Sequence, residues 1–257
     1  MPTSEEYAVA FYGRLGPEGL AARTRPEWDQ QIVERIRGLL QPGDRILDVG
    51  CGYGRIAIPL ALCGFDVVGI DISMSLLEAA RREATKAGAK AQFLHRNMCS
   101  ITLPEASFDV VLCLWSAFRE LLEPEEQLHA LAGMHRVLKP GGLALLEGAI
   151  GSSATDDEIA SGYRHGPENR IERFVIQGLD NPHFHHDISS FERLLTRIGV
   201  ERFVVSHEDW AGRQRQVPRF FKDALDPCPL VGQVRQSRHF RQEFLDLTPI
   251  IGIGCRR

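Results

Sequence analysis

The chain has 257 residues, of which 44% are hydrophobic and 25% charged. These values sit close to the averages of globular domains and exclude collagen-like and disordered classes. A net charge of -4 gives no global pull toward nucleic acid or an anionic membrane, and no apolar run approaches the ~18–20 residues of a membrane span. At this length the chain buries roughly 70–75% of its unfolded surface, so it needs neither disulfides nor a structural metal. The start, Met1-Pro2-Thr3-Ser4-Glu5-Glu6, is acidic and lacks the basic-then-apolar layout of a signal peptide. Six scattered cysteines (Cys51, Cys63, Cys99, Cys113, Cys228, Cys255) form no C-x-x-C pair. They read as reduced thiols of a cytoplasmic protein.

In chain order, Ile32, Val33, Ile36, Leu39 and Leu40 recur at helical spacing within 26–40, and Gln41-Pro42-Gly43 stops that helix. Residues 45–49 are a short apolar strand ending in glycines. Residues 56–62 predict a helix closed by Gly64 in the left-handed region, and 66–70 a second strand ending in Asp71. Ser75 to Glu78 has capping-box spacing and opens a helix that ends near Gly88. Residues 92–94 are a third strand; 108–114, apolar throughout, are a fourth, buried on both faces. A helix over 125–138, a turn at Lys139-Pro140-Gly141-Gly142 and a strand at 143–146 follow. The alternation predicts a doubly wound, mostly parallel sheet with helices on both faces.

Beyond Gly148 the pattern weakens. Residues 187–198 predict a helix stopped by Gly199, 202–205 a strand, and 249–253 a last one. Residues 1–25, 151–186 and the arginine-rich 208–247 read as covering segments over the strand ends. The whole chain, 1–257, is then one domain, with 26–150 as its cofactor-binding core.

Asp48-Val49-Gly50-Cys51-Gly52-Tyr53-Gly54-Arg55 lies where a strand hands over to a helix. Glycines there let the backbone approach a ligand, and in open α/β sheets ligands bind beyond the strand ends. A dinucleotide fingerprint needs a small third residue; counting from Gly50, that place holds Arg55. Asp48 beside the loop repels a pyrophosphate but suits a cationic amino group. Asp71, at the end of the second strand, can accept from ribose hydroxyls. The pattern favours a cationic, ribose-bearing ligand over a nicotinamide dinucleotide.

Residues 47–55 resemble the first motif of class I S-adenosylmethionine-dependent methyltransferases. Val68 to Ser73, Leu103 to Val111 and His135 to Gly142 resemble three further motifs of that family, in order and over about residues 30–150. The resemblance implies a Rossmann-like sheet of seven strands and S-adenosylmethionine as cofactor, with S-adenosylhomocysteine as product. It also implies that Asp48, Gly50, Cys51, Gly52 and Gly54 border the methionine part, Asp71 and Ile72 the ribose, and Asn97 and Met98 the adenine. Asn97 stands where the family often has an acid; an amide can still accept from the adenine amino group and donate to a ring nitrogen. Leu114 and Trp115 would lie beneath the sulfonium.

Methyl transfer needs alignment and exclusion of water more than a fixed triad, although an amine or phenol acceptor must lose a proton. Tyr12, His185 and His186 are the candidate catalytic groups. Trp115, Phe118 and Arg119 are candidate acceptor contacts, and Glu120 is a candidate on the same terms as Arg119. The spacing of His183, His185 and His186 is no recognised ligand pattern, so no metal is expected. Leu114-Trp115-Ser116-Ala117 stands where a base-methylating tetrapeptide would be, which argues against amino methylation of DNA bases. The expected partner is a small-molecule acceptor methylated at nitrogen or oxygen, with a homo-oligomer left open. The alternatives are an RNA methyltransferase, a nicotinamide-dependent oxidoreductase and a non-catalytic cofactor-binding protein.

Overall fold

The computed structural model describes residues 2–149, 163–165, 171–176, 178–186 and 188–223. Five strands run parallel: β1 (Arg45–Val49), β2 (Asp66–Asp71), β3 (Ala91–His95), β4 (Phe108–Cys113) and β5 (Leu138–Leu146). The sheet order is β3-β2-β1-β4-β5-β11-β10, where β10 is Arg202–Trp210 and β11 is Arg213–Phe221. β11 enters antiparallel to β5, and the two-residue strand β6 (Gly148–Ala149) pairs with it as well.

Successive residues of the central strands feed opposite cores, as a period of two requires. Leu47, Val49, Val68, Ile70, Val111 and Cys113 face one core, shared with α5 (Pro124–Val137) and α6 (Ile188–Arg197). Ile46, Val67, Val110 and Leu112 face the other, shared with α2 (Pro26–Arg37), α3 (Ala57–Leu62) and α4 (Met74–Ala87). This is the doubly wound sheet with helices on both faces that the sequence predicts. Among the described residues no helix is long and apolar enough to cross a membrane.

Several boundaries differ from expectation. The cap of α4 is Ser73, whose hydroxyl accepts from Leu76 N at 3.5 Å, rather than Ser75. Lys139 to Gly142 is not a separate turn but the start of β5. A Cβ on Gly142 would lie 2.9 Å from the Asp109 carbonyl oxygen, so only glycine lets the two strands approach there. The arginine-rich segment, expected to be irregular cover from 208 onward, holds the end of β10 and all of β11. Ala211 and Gly212, with φ of 56° and 76°, join the two in a two-residue hairpin. Polar composition and Pro218 hide β11 from a pattern search. Val217, Phe220 and Phe221 are buried, but so are Arg215 and Gln216, with Arg215 paired to Glu147 at 2.5 Å and Arg219 to Glu208. The strand expected at 249–253 lies outside the described residues.

The N-terminal segment is a helix, α1 (Ser4–Ala21), opened by a Thr3–Glu6 capping box and broken at Gly16-Pro17. Within 151–186, a separate antiparallel sheet holds β7 (Tyr163–His165), β8 (Ile171–Ile176) and β9 (Leu179–Phe184). β9 packs against α1 and against the 3-10 turn Ala117–Glu120. Phe11 and Leu15 form a small cluster with Leu179, apart from the two main cores.

Candidate active site

The strand-to-helix turn after β1 is held by backbone. Gly50 N and Cys51 N donate to Ile70 O at 2.8 and 3.0 Å, and Gly52 N donates to Asp71 Oδ2 at 2.8 Å. Gly50 has φ +73°, and a Cβ on it would lie 2.7 Å from the Cβ of Ala117, so a side chain is excluded on both counts. Gly54 instead packs inward, against Ile58 and Phe93.

Beyond this loop lies a cavity of about 290 Å³, near the lower end of the usual size for small-molecule sites. Tyr12, Asp48, Gly50, Cys51, Gly52, Asp71, Ile72, Asn97, Met98, Leu114 and Trp115 all line it. Among its acids, Asp48 is buried, and Asp71 and Glu120 are half-buried. Burial, then the charge of Asp71, raises Asp48 to about 7. Glu120 is likewise raised to about 7, mainly by burial, against the lowering effect of the Tyr12 hydroxyl that donates to it. Asp71 is raised by burial and held back by the amides of Ser73 and Gly52. A wall of this kind fits a ligand with cationic sulfonium and ammonium groups, because a positive charge offsets the cost of ionising buried carboxylates.

Asn97, on the cavity wall, is already engaged. Asn97 Oδ1 accepts from Cys99 N, and its Nδ2 donates to Glu5 Oε2 of α1, both at 2.8 Å. Trp115 and Ser116 adopt positive φ, 56° and 67°, an arrangement that costs local strain. Glu147 supports both: its carboxylate accepts from Trp115 N at 2.7 Å and its carbonyl from Ser116 N at 3.1 Å. The Arg55 guanidinium lies 3.8 Å over the Trp115 ring and pairs with Asp29 at 2.9 Å.

Besides Gly54, four expected site residues, Phe118, Arg119, His185 and His186, do not line the cavity. Phe118 sits in the core against His186 and Phe191, each ring 5.4 Å away. Arg119 is buried, its Nε donating to Phe184 O at 3.1 Å and its Nη2 lying 2.8 Å from His185 Nε2. His186 packs between Phe184 and Phe191, with centroids 4.7 and 4.4 Å away. In their place stand Glu120 and His183. Side chains three apart eclipse on a 3-10 turn, so Glu120 shares a side with Ala117, away from Phe118 and Arg119. Along β9 the period of two puts Asn181 and His183 on the cavity side and Phe184 on the other. The spacing of 117 from 120 and of 181 from 183 carried that signal, once the elements were known. Burial, then the charge of Arg119, lowers His183 to about 3 and keeps its ring neutral. Among the described residues no group of three or more His, Cys, Asp or Glu could hold a metal ion.

A doubly wound sheet with an antiparallel strand inserted beside β5, a glycine loop after β1 and a half-buried acid ending β2 defines a class I S-adenosylmethionine-dependent methyltransferase. Residues 46–142 match the family described as "Methyltransferase domain". The chain is 30% identical over 223 residues to YqeM of Bacillus subtilis (strain 168), a protein named as a methyltransferase, covering 85% of this chain and 84% of that one. It is 36% identical over 124 residues to the 27-O-demethylrifamycin SV methyltransferase of Amycolatopsis mediterranei (strain S699), covering 46% of this chain and 44% of the relative. An S-adenosylmethionine-dependent methyltransferase from Methanosarcina mazei superposes with a TM-score of 0.61 at 25% identity, over 74% of this chain and 98% of that one. The chain belongs to the S-adenosylmethionine-dependent methyltransferases, and S-adenosylmethionine is its cofactor.

Proposed function

We propose that the protein transfers a methyl group to a nitrogen or oxygen of a small molecule. The observation that carries this reading is a single cavity running from the glycine loop and Asp71 to Tyr12, Trp115 and Glu120, roofed by α1 and β9. A roofed cavity of this size suits a compact acceptor, whereas an RNA substrate calls for an open groove. The similarity to a methyltransferase named for 27-O-demethylrifamycin SV, not for a nucleic acid, supports the same reading.

Bound S-adenosylmethionine supplies an already activated methyl group on its sulfonium. The chain's share is to hold and align. Asp48 and the loop from Gly50 to Gly54 take the methionine part, Asp71 and Ile72 the ribose, Asn97 and Met98 the adenine, and Leu114 the floor under the sulfur. Gly54 serves by packing the loop closely on Phe93 rather than by contact. Trp115 and Tyr12 border the acceptor, and His183 replaces His185 and His186 as the histidine nearest the chemistry. We place the protein in the cytoplasm, in keeping with four described cysteines that are all free thiols.

The test is calorimetric titration with S-adenosylmethionine, S-adenosylhomocysteine and NAD in parallel, followed by methyl-labelled transfer to panels of phenols, amines and short RNAs. Binding of both sulfur ligands with label on phenols or amines is the expected result. Label found on RNA alone would sink the small-molecule reading.

A further inference from the structure

Four polar side chains from three separate segments meet on the cavity wall, and holding the cofactor does not account for them. Tyr12 comes from α1, Glu120 from the 117–120 turn, Asn181 and His183 from β9. The Tyr12 hydroxyl donates to Glu120, Asn181 Nδ2 lies 3.2 Å from His183 Nε2, and that nitrogen stands 3.9 Å from Glu120 Oε1. The turn that carries Glu120 abuts the glycine loop, through the contact of Ala117 with Gly50.

The charged surroundings come from both sides. Asp71, at the end of β2, adds to the proton affinity of Tyr12, Glu120 and Asp48 alike. Arg119, on the same turn as Glu120, acts on His183. Burial drives Tyr12 too high to ionise and His183 too low to take up a proton near neutrality. Within this cluster Glu120 is the group that can exchange a proton under those conditions.

We propose that Glu120 is the general base of the reaction, and that it takes its charged form when the cavity holds a cation rather than a neutral thioether. The proposal rests on the methyltransferase reading, in which the donor carries a sulfonium charge and the product carries none. A positive charge in a water-poor cavity favours a neighbouring carboxylate over its acid. Glu120 is therefore charged while the donor is present and reprotonated while the product remains. The balance closes: the acceptor's lone pair forms the bond to the methyl carbon, the electron pair of the broken C–S bond stays on sulfur, and the acceptor's proton passes to Glu120 and then to solvent.

The experiment counts protons. S-adenosylmethionine and S-adenosylhomocysteine are titrated into the full chain at pH 7.0 in phosphate and in Tris, and the heat difference between buffers gives the protons exchanged. S-adenosylmethionine should release more protons than S-adenosylhomocysteine, and Glu120→Gln should cut that excess by about half a proton, leaving the share of Asp48. Tyr12→Phe, which removes a donor to the carboxylate, should move the pH of largest excess upward. Equal release by both ligands in the wild type overturns the proposal, as does an excess undiminished in Glu120→Gln. If circular dichroism shows Glu120→Gln unfolded, an unmoved maximum in Tyr12→Phe overturns it instead. Failure of both ligands to bind the wild type would strike the cofactor assignment, a separate outcome.

Discussion

On the side of β1 and β2 the cavity wall is backbone. The amides of Gly50, Cys51 and Gly52 bond to Ile70 and Asp71, over strands whose Leu47, Val49 and Ile70 are fully buried. On the side of α1 the wall is held by side chains: Ser4 to Glu126, Glu5 to Asn97, Tyr12 to Glu120 and Thr24 to Tyr53. Among the described residues, the apolar cluster beneath these is the small one around Phe11 and Leu15. Backbone bonds over a large core open with the whole fold, whereas a helix tied by polar side chains opens locally. The contrast predicts a rigid half, suited to a cofactor of constant shape, and a half that moves aside for ligands to enter.

The largest effect that would break this division is at Asp71, which binds the loop and which we propose also holds the ribose. Asp71→Ala should weaken S-adenosylhomocysteine by about 30-fold or more, on the order of 2–3 kcal/mol. Calorimetry that found affinity kept would move the ribose site elsewhere. Hydrogen exchange sharpens the contrast next. Amides of α1 should exchange at least about tenfold faster than those of β1 and β4, and slow on ligand binding. Tyr12→Phe with Glu5→Gln should widen that gap, and uniform protection across α1 and β1 would remove it.

A smaller effect is the pH dependence of stability. Glu120 is raised to about 7 in the folded protein, above the value of roughly 4.3 for an unperturbed glutamate. Folding therefore favours its protonated form, and the stabilisation is complete below about pH 4 and lost as pH rises through 7. The urea stability of Glu120→Gln relative to wild type should improve from pH 4 to 7 and level off above. A flat difference would mean that Glu120 ionises freely. The smallest effect is at His185, whose ring meets Arg119 away from the cavity. His185→Gln should change S-adenosylhomocysteine affinity less than about twofold.

Legibility follows the same division. The strands β1 to β5, the loop from Gly50 to Gly54, and Asp71 were readable because apolar runs and glycines at a strand end have few structural meanings. Of the two candidates Arg119 and Glu120 only Glu120 lines the cavity, and His183 lies within three residues of the expected His185 and His186 but on the other side of its strand. A 3-10 turn at 117–120 and a strand at 179–184 have no sequence signature of their own, and the side of the chain that faces a ligand depends on them. β11 was missed for a related reason: Arg215 and Gln216 are buried, and Arg215 is matched to Glu147, 68 positions earlier in the chain.

By itself the sequence determined the class of fold, the place of the glycine loop and the family, since each rests on local patterns: periodicity, turn chemistry and motif spacing. Only the tertiary structure decided which of the neighbouring residues at 118–120 and 183–186 reach the cavity and which pack into the core. It also decided that a polar arginine-rich stretch is a strand of the main sheet. Those outcomes depend on partners distant in the chain, and a buried charge is acceptable only where such a partner stands to meet it.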